Sequence, residues 1–440
     1  MSRRVPGVAA VRPFMAGHRR SRLLRAGWGA ADQAFSSLTN FALGILIART
    51  VSTDDFGAFS LAFATYTIIL NVARAAATTP LIVRYSGLEP DAWRPGARAA
   101  MGMSFTIGLA SGAACLLVGL VAGGALREAF VALGLTMPGL IVQDSWRFAF
   151  FSTGHGTRAF ANDVVWAIVL FPAFALLTAT GRVTVFWPVV AWGGAATVAA
   201  VLGARQAGLL PAPRRTRAWW REHVDLSSRY LGELAANMTA TQASMYVLGI
   251  VAGLGAVGAL RAGQLLLGPL NILYQGVQLV AIPEAVSILR SSVQRLRQVC
   301  ILLSVFLGAV ATAWGLLLLA IPDDLGVALL GHTWANAREV ILPLSLSVVA
   351  ASLTTGAYVA LRALAAARRS LRANVMGSTI QGIGIVAGSV LGGAPGAAWG
   401  WAATNVVGFG IWWREAFAGL ADFRRPGPTA VPPEEPLPPA

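Results

Sequence analysis

The stretch Ser36–Ser86, SSLTNFALGILIARTVSTDDFGAFSLAFATYTIILNVARAAATTPLIVRYS, decides the fold. It holds two apolar runs, each long enough to cross a hydrocarbon core of ~30 Å. Between them lies a short turn with the acidic pair Asp54-Asp55, followed by Phe56-Gly57. The stretch therefore predicts a helical hairpin across a membrane. Working outward, the pattern recurs, and twelve helices are expected at 29–51, 57–83, 99–123, 128–153, 160–180, 184–204, 229–252, 256–286, 299–320, 338–362, 372–392 and 395–417. Composition agrees. Of 440 residues, 56% are hydrophobic and 12% charged, about half the ~25% charge of soluble domains. Mean hydropathy is +0.65. So few charges cannot coat soluble domains of this total length. The sequence specifies an all-α polytopic membrane protein.

The net charge of +15 suggests nucleic acid until its placement is read. All 34 basic residues are arginine, and they fall in alternate loops. The even-numbered loops and their edges hold Arg84, Arg94, Arg98, Arg158, Arg205, Arg214, Arg215, Arg217, Arg221, Arg229, Arg290, Arg295, Arg297, Arg362, Arg368, Arg369 and Arg372, whereas the odd loops offer Arg127, Arg182 and Arg338. By the positive-inside rule both termini face the cytoplasm, and no nucleic-acid partner is expected. Cys115 and Cys300 lie in or beside apolar runs. Neither metal-ligand spacing, a P-loop nor a Ser/His/Asp arrangement stands out, so no metal, cofactor or ATP hydrolysis is expected. No enzyme active site is expected.

The expected domains are a basic cytoplasmic tail at 1–28, an N-lobe of six helices at 29–204, a linker at 205–228, a C-lobe of six helices at 229–417, and a disordered Pro-rich tail at 418–440. The linker carries Trp219-Trp220 among arginines, which suits a helix on the membrane interface as well as a plain cytoplasmic connection. The lobes echo each other. Phe56-Gly57 and Pro80 match Val257-Gly258 and Pro283; Pro138 matches Pro343; Asn162 matches Asn374. Six helices per half make this a parallel repeat about an axis along the membrane normal.

With its Ala48-Arg49 helix end, Asp54-Asp55, Phe56-Gly57 and long second helix, Ser36–Ser86 resembles the start of Wzx-type polysaccharide flippases. Their superfamily, the multidrug/oligosaccharidyl-lipid/polysaccharide exporters, also holds multidrug extruders and lipid II flippases. The resemblance implies translocation of an undecaprenyl-diphosphate-linked saccharide toward the outer face by alternating access, for cell-envelope polysaccharide biosynthesis. The implied partners are that lipid-linked saccharide, membrane lipids and polysaccharide biosynthesis enzymes.

Ionisable groups within spans are functional candidates by default. Arg74 lies 17 residues beyond Gly57, roughly 25 Å along a helix, where a guanidinium could clamp a diphosphate. That reading is preferred over snorkelling to the cytoplasmic headgroups. Arg147 stands three residues after Asp144, on one helix face, and an ion pair between them is preferred over substrate binding. Arg49 and Arg261, near the outer ends of helices one and eight, could form a release site for an anionic headgroup, but simple contact with the outer interface is preferred for both. Asn271 and Gln275 belong to a polar face of helix eight that should meet a cavity or another helix. Asp32, Asp163, Glu233 and Glu284 are candidates for coupling a proton or Na⁺, against ordinary pairing with arginine. Two rivals stand beside the flippase: a drug/cation antiporter, which would hold its cargo with cavity carboxylates, and a membrane glycosyltransferase using Asp54-Asp55.

Overall fold

The structure, a computed structural model, describes residues 19–86, 88–181 and 184–424, without the side chains of 19–31, 233, 235–243, 272, 275–276, 278–280, 283 and 424. Most of the basic tail, the end of the Pro-rich tail, Arg182, and the side chains of Glu233 and Gln275 thus lie outside the described residues. The rest folds into twelve helices: α1 (Arg19–Thr50), α2 (Thr53–Tyr85), α3 (Pro90–Val121), α4 (Gly124–Ser152), α5 (Gly156–Ala179), α6 (Phe186–Ala207), α7 (216–253), α8 (254–291), α9 (Val293–Leu319), α10 (Asp323–Ala363), α11 (367–392) and α12 (393–424). Among the described residues, nine helical stretches are long and apolar enough to span a membrane, with α11 and α12 counted as one. This is a multi-pass membrane protein.

Several boundaries lie outside the sequence reading: α1 begins at Arg19 and not 29, α3 at Pro90 and not 99, α9 at Val293 and not 299, and α12 runs to Arg424, into the tail expected to be disordered from 418. Two further differences have a local reason. Residues 322–337, expected as the longest outer loop, are mostly helical. Pro322 starts the first helix there, and Asp323 and Asp324 place negative charge on its amide end. Helix seven begins not at 229 but at Thr216, just after a 3₁₀ turn at Pro213–Arg215. Its early turns are held by burial: Trp219 is 1% exposed and donates to the Ala76 carbonyl at 3.0 Å. The α7–α8 turn falls at Gly253, whose φ of 84° is a conformation that favours glycine.

The six-helix lobes repeat the same internal packing. In one, α3 packs on α4 and α4 on α6; in the other, α9 packs on α10 and α10 on α12. Pro138 lies inside α4 and its repeat mate Pro343 inside α10. The repeat also shows at the end of the bundle away from the arginine-rich loops, here called the far face. A Cβ on Gly57 of α2 would collide with the Leu254 carbonyl in the α7–α8 turn, and one on Gly258 of α8 with the Thr53 carbonyl in the α1–α2 turn. Each lobe's glycine therefore seats the other lobe's turn. Thr333 adds a 2.9 Å hydrogen bond to the Ala48 carbonyl, and Asn336 one of 3.2 Å to Thr53. These contacts join the lobes at the far face.

A buried ion network and a cationic cavity between the lobes

Four helices of the N-lobe bring five charged side chains together. In α2 the helix widens into a π turn at Arg74–Thr78, a distortion that often marks functional positions. From its first residue Arg74 makes a two-pronged contact with Asp144 of α4, at 2.8 and 2.6 Å, and its guanidinium lies 4.9 Å from the Phe148 ring centre. One turn along α4, Arg147 reaches Asp32 of α1 at 2.5 Å, Asp163 of α5 at 3.2 Å and Asp144 at 3.4 Å. The pair expected from the i, i+3 spacing exists, as the longest link of a larger network. Gln143 and Asn162, which sequence reasoning did not select, extend it. Gln143 donates to Asp163 at 2.8 Å, and Asn162 donates to the Ala199 carbonyl at 2.7 Å.

The charges in this network do not cancel. Three carboxylates face two guanidiniums, which leaves one formal negative charge uncompensated. Asp32 and Asp163 are each 1% exposed; Asp32 Oδ1 has no hydrogen-bond partner among the described residues, and Asp163 Oδ2 is held there only by its 3.2 Å ion pair with Arg147 Nε. Buried charge is costly unless paired and fully hydrogen-bonded. This arrangement suits a monovalent positive species, a proton or a small cation, arriving between α1 and α5. Among the described residues, no group of three or more His, Cys, Asp or Glu side chains is placed to hold a metal ion.

Arg261 of α8 is held differently. It lies between the lobes, on two adjoining cavities of about 370 and 190 Å³. The larger is walled by α1, α2 and α8 and includes Asn40, Phe59 and Asn271; the smaller adds α7, α11 and α12 through Met245, Ile385 and Trp401. The Arg261 guanidinium sits 5.0 Å from the Phe63 ring centre and donates to Gln264 at 3.4 Å. No carboxylate pairs with it among the described residues. The remaining candidates are peripheral: Arg49, at the end of α1, and Glu284, in α8, are both exposed.

No family model matches the chain, and no curated protein matches it. Solved structures do. An inward-facing conformation of a multidrug resistance MATE family transporter of the MOP superfamily aligns with a TM-score of 0.66 at 13% identity, over 88% of this chain and 95% of that one. The lipid II flippase MurJ in an inward closed conformation gives 0.64 at 12% identity, over 91% and 90%. The fold is that of the MOP-superfamily transporters. An outward-facing conformation of a MATE family transporter aligns at 0.55 and 12% identity, over 94% and 100%.

Proposed function

We propose that this protein flips an undecaprenyl-diphosphate-linked saccharide across the bacterial cytoplasmic membrane by alternating access, for cell-surface polysaccharide assembly. The observation that carries the reading is Arg261: a cation in the cavity between the lobes with no acidic partner among the described residues. A permanently charged guanidinium there favours an anionic headgroup, and its fork suits phosphate oxygens. Arg74 and Arg147 already hold carboxylates, so on this reading they belong to the coupling machinery. Residues 29–204 and 229–417 form the moving lobes, and 205–228 links them on the cytoplasmic side, where the arginine-rich loops lie. The lobes meet at the far face, as an inward-facing state requires, and substrate reaches the cavity from the cytoplasmic leaflet.

Coupling is assigned to Asp32 and Asp163. A proton or Na⁺ neutralises their surplus charge, alters the attractions joining α1, α4 and α5, and so biases one lobe arrangement over the other. The test is translocation of a short-chain fluorescent analogue of the lipid-linked saccharide in proteoliposomes. Arg261→Ala should abolish flipping and Arg261→Lys retain part of it; full activity in both variants would remove the carrying observation. The alternative, a multidrug/cation antiporter, draws on the acidic surplus of the N-lobe. It predicts that a cationic dye competes for the cavity and that Arg261→Ala improves dye transport.

A further inference from the structure

The C-lobe contains a pocket of a different kind. It has a volume of about 270 Å³ between α10, α11 and α12, and its described lining is polar but uncharged. Asn374, Ser378 and Gln381 line it from α11, with Asn405 and Trp412 from α12 and Tyr358 from α10. Polar side chains within membrane helices are costly unless they meet polar partners. Ser378 and Gln381 are half-buried and have no hydrogen-bond partner among the described residues.

The placement follows helix geometry. On α11, positions 374, 378, 381 and 385 step by i, i+4, i+7 and i+11, so they share one face. On α12, positions 401, 405, 408 and 412 follow the same steps in the antiparallel direction. Both stripes end on Ile385 and Trp401, which also line the smaller cavity beside Arg261. The uncharged pocket and the cationic cavity are therefore consecutive along the α11–α12 seam, about one helical turn of ~5 Å apart. At the other end of the pocket, Tyr358 and Trp412 place their ring centres 5.8 Å apart at 58°. Amide and hydroxyl groups supply donors and acceptors without charge, and the two rings supply apolar faces. A hydroxyl-rich ring with one apolar face satisfies both, whereas a phosphate would find no positive charge in the lining itself; the neighbouring Arg362 guanidinium is stacked on the Tyr358 ring, 5.1 Å from its centre.

We infer that this C-lobe pocket is a subsite for a neutral sugar unit, lying next to an Arg261 site for the diphosphate. The inference rests on the lipid-linked saccharide reading above. One ligand then spans both compartments, its phosphates at Arg261 and its saccharide along the seam toward Gln381 and Ser378.

The experiment compares two fluorescent probes binding to the full chain in nanodiscs: a short-chain polyprenyl diphosphate, and the same lipid carrying a neutral oligosaccharide. Gln381→Leu and Ser378→Ala should each weaken the saccharide probe by roughly 2–10-fold, as expected for one lost hydrogen bond, and leave the bare diphosphate unchanged. Arg261→Ala should weaken both probes. Equal loss of both probes in the α11 variants, or loss of neither, overturns the subsite. So does an effect that follows Na⁺ concentration in the absence of saccharide. Should wild type bind neither lipid, the flippase reading fails on its own. Saturation-transfer NMR with soluble oligosaccharide then decides the pocket: a transfer signal that disappears in Gln381→Leu upholds a sugar site, and a wild type that gives no signal overturns it.

Discussion

In α4 of the N-lobe, Asp144 and Arg147 stand six and nine residues beyond Pro138; in α10 of the C-lobe the same steps beyond Pro343 bring Val349 and Ser352. On the following helices, Asn162-Asp163 of α5 has Asn374-Val375 of α11 as its counterpart. One scaffold thus carries ions in one copy and neutral groups in the other. The repeat keeps helix packing, proline position and an asparagine, while the charge at these matched positions is specific to one lobe; the C-lobe's own ion cluster, Arg369, Arg372 and Arg414 around the buried Glu415, stands at other positions. Symmetry of fold has not imposed symmetry of chemistry, and the two lobes can perform different parts of one transport cycle.

The largest expected contrast between the lobes is in stability. Arg147→Ala leaves Asp32, Asp144 and Asp163 without the guanidinium they share, and orphaning a buried ionic group costs ~3–5 kcal/mol. The C-lobe counterpart Ser352→Ala removes a hydroxyl paired with Tyr274 at 2.5 Å and should cost ~1 kcal/mol. Thermal unfolding of the two variants in detergent checks this, and equal losses would break the comparison. Next come the matched glycines. Gly57→Val and Gly258→Val should each push the far-face turns apart, because a side chain at either position collides with the opposite turn. Spin-label distances across the far face should lengthen in both; a change in only one would deny that the contacts are equivalent.

A smaller effect sharpens the division of labour. Asp163→Asn should flatten the dependence of flipping on pH or Na⁺, whereas Val375→Asp in the C-lobe should not reproduce that dependence. Transport measured in liposomes with imposed proton or sodium gradients distinguishes them. The smallest effect concerns the docking of α7 on the N-lobe. Burial pushes the His223 imidazole below its ordinary range, and the ring stacks on Trp219 with centres 3.8 Å apart. Folding favours the neutral ring, so this stability is present above the unfolded value of ~6.5 and lost as pH falls through the lower folded value. The protection factors of the amides in residues 216–228, taken against the intrinsic exchange rate at each pH, should therefore fall below about pH 6, and His223→Gln should remove the trend.

The helices were legible because apolar run length and arginine placement are local signals. Far-face pairing was half legible: Gly57 and Gly258 stand out as repeat mates, but reciprocal contact with the opposite turns needs three dimensions. The ion network was foreseen as separate candidates. Spacing along α4 joins Asp144 to Arg147, whereas Arg74 and Asp144 are 70 residues apart and meet only when α2 packs beside α4. The α11 stripe of Asn374, Ser378 and Gln381 shares one helix face just as Asn271 and Gln275 do, so its signal was present and unused. Arg261 was legible as a charge but not as one without a carboxylate, since missing partners leave no trace in sequence.

The reciprocal glycines set a rule for recombination. Each lobe closes on a backbone carbonyl that belongs to the other, so neither half carries its own complete latch. A chimera that takes one lobe from a related transporter must also take a turn that accepts the resident glycine. Natural sequences face the same constraint, and bulk gained near Thr53 has to be matched by space kept at Gly258. The halves of this gene are free to diverge inside their lobes, but at the far face they are bound to drift together.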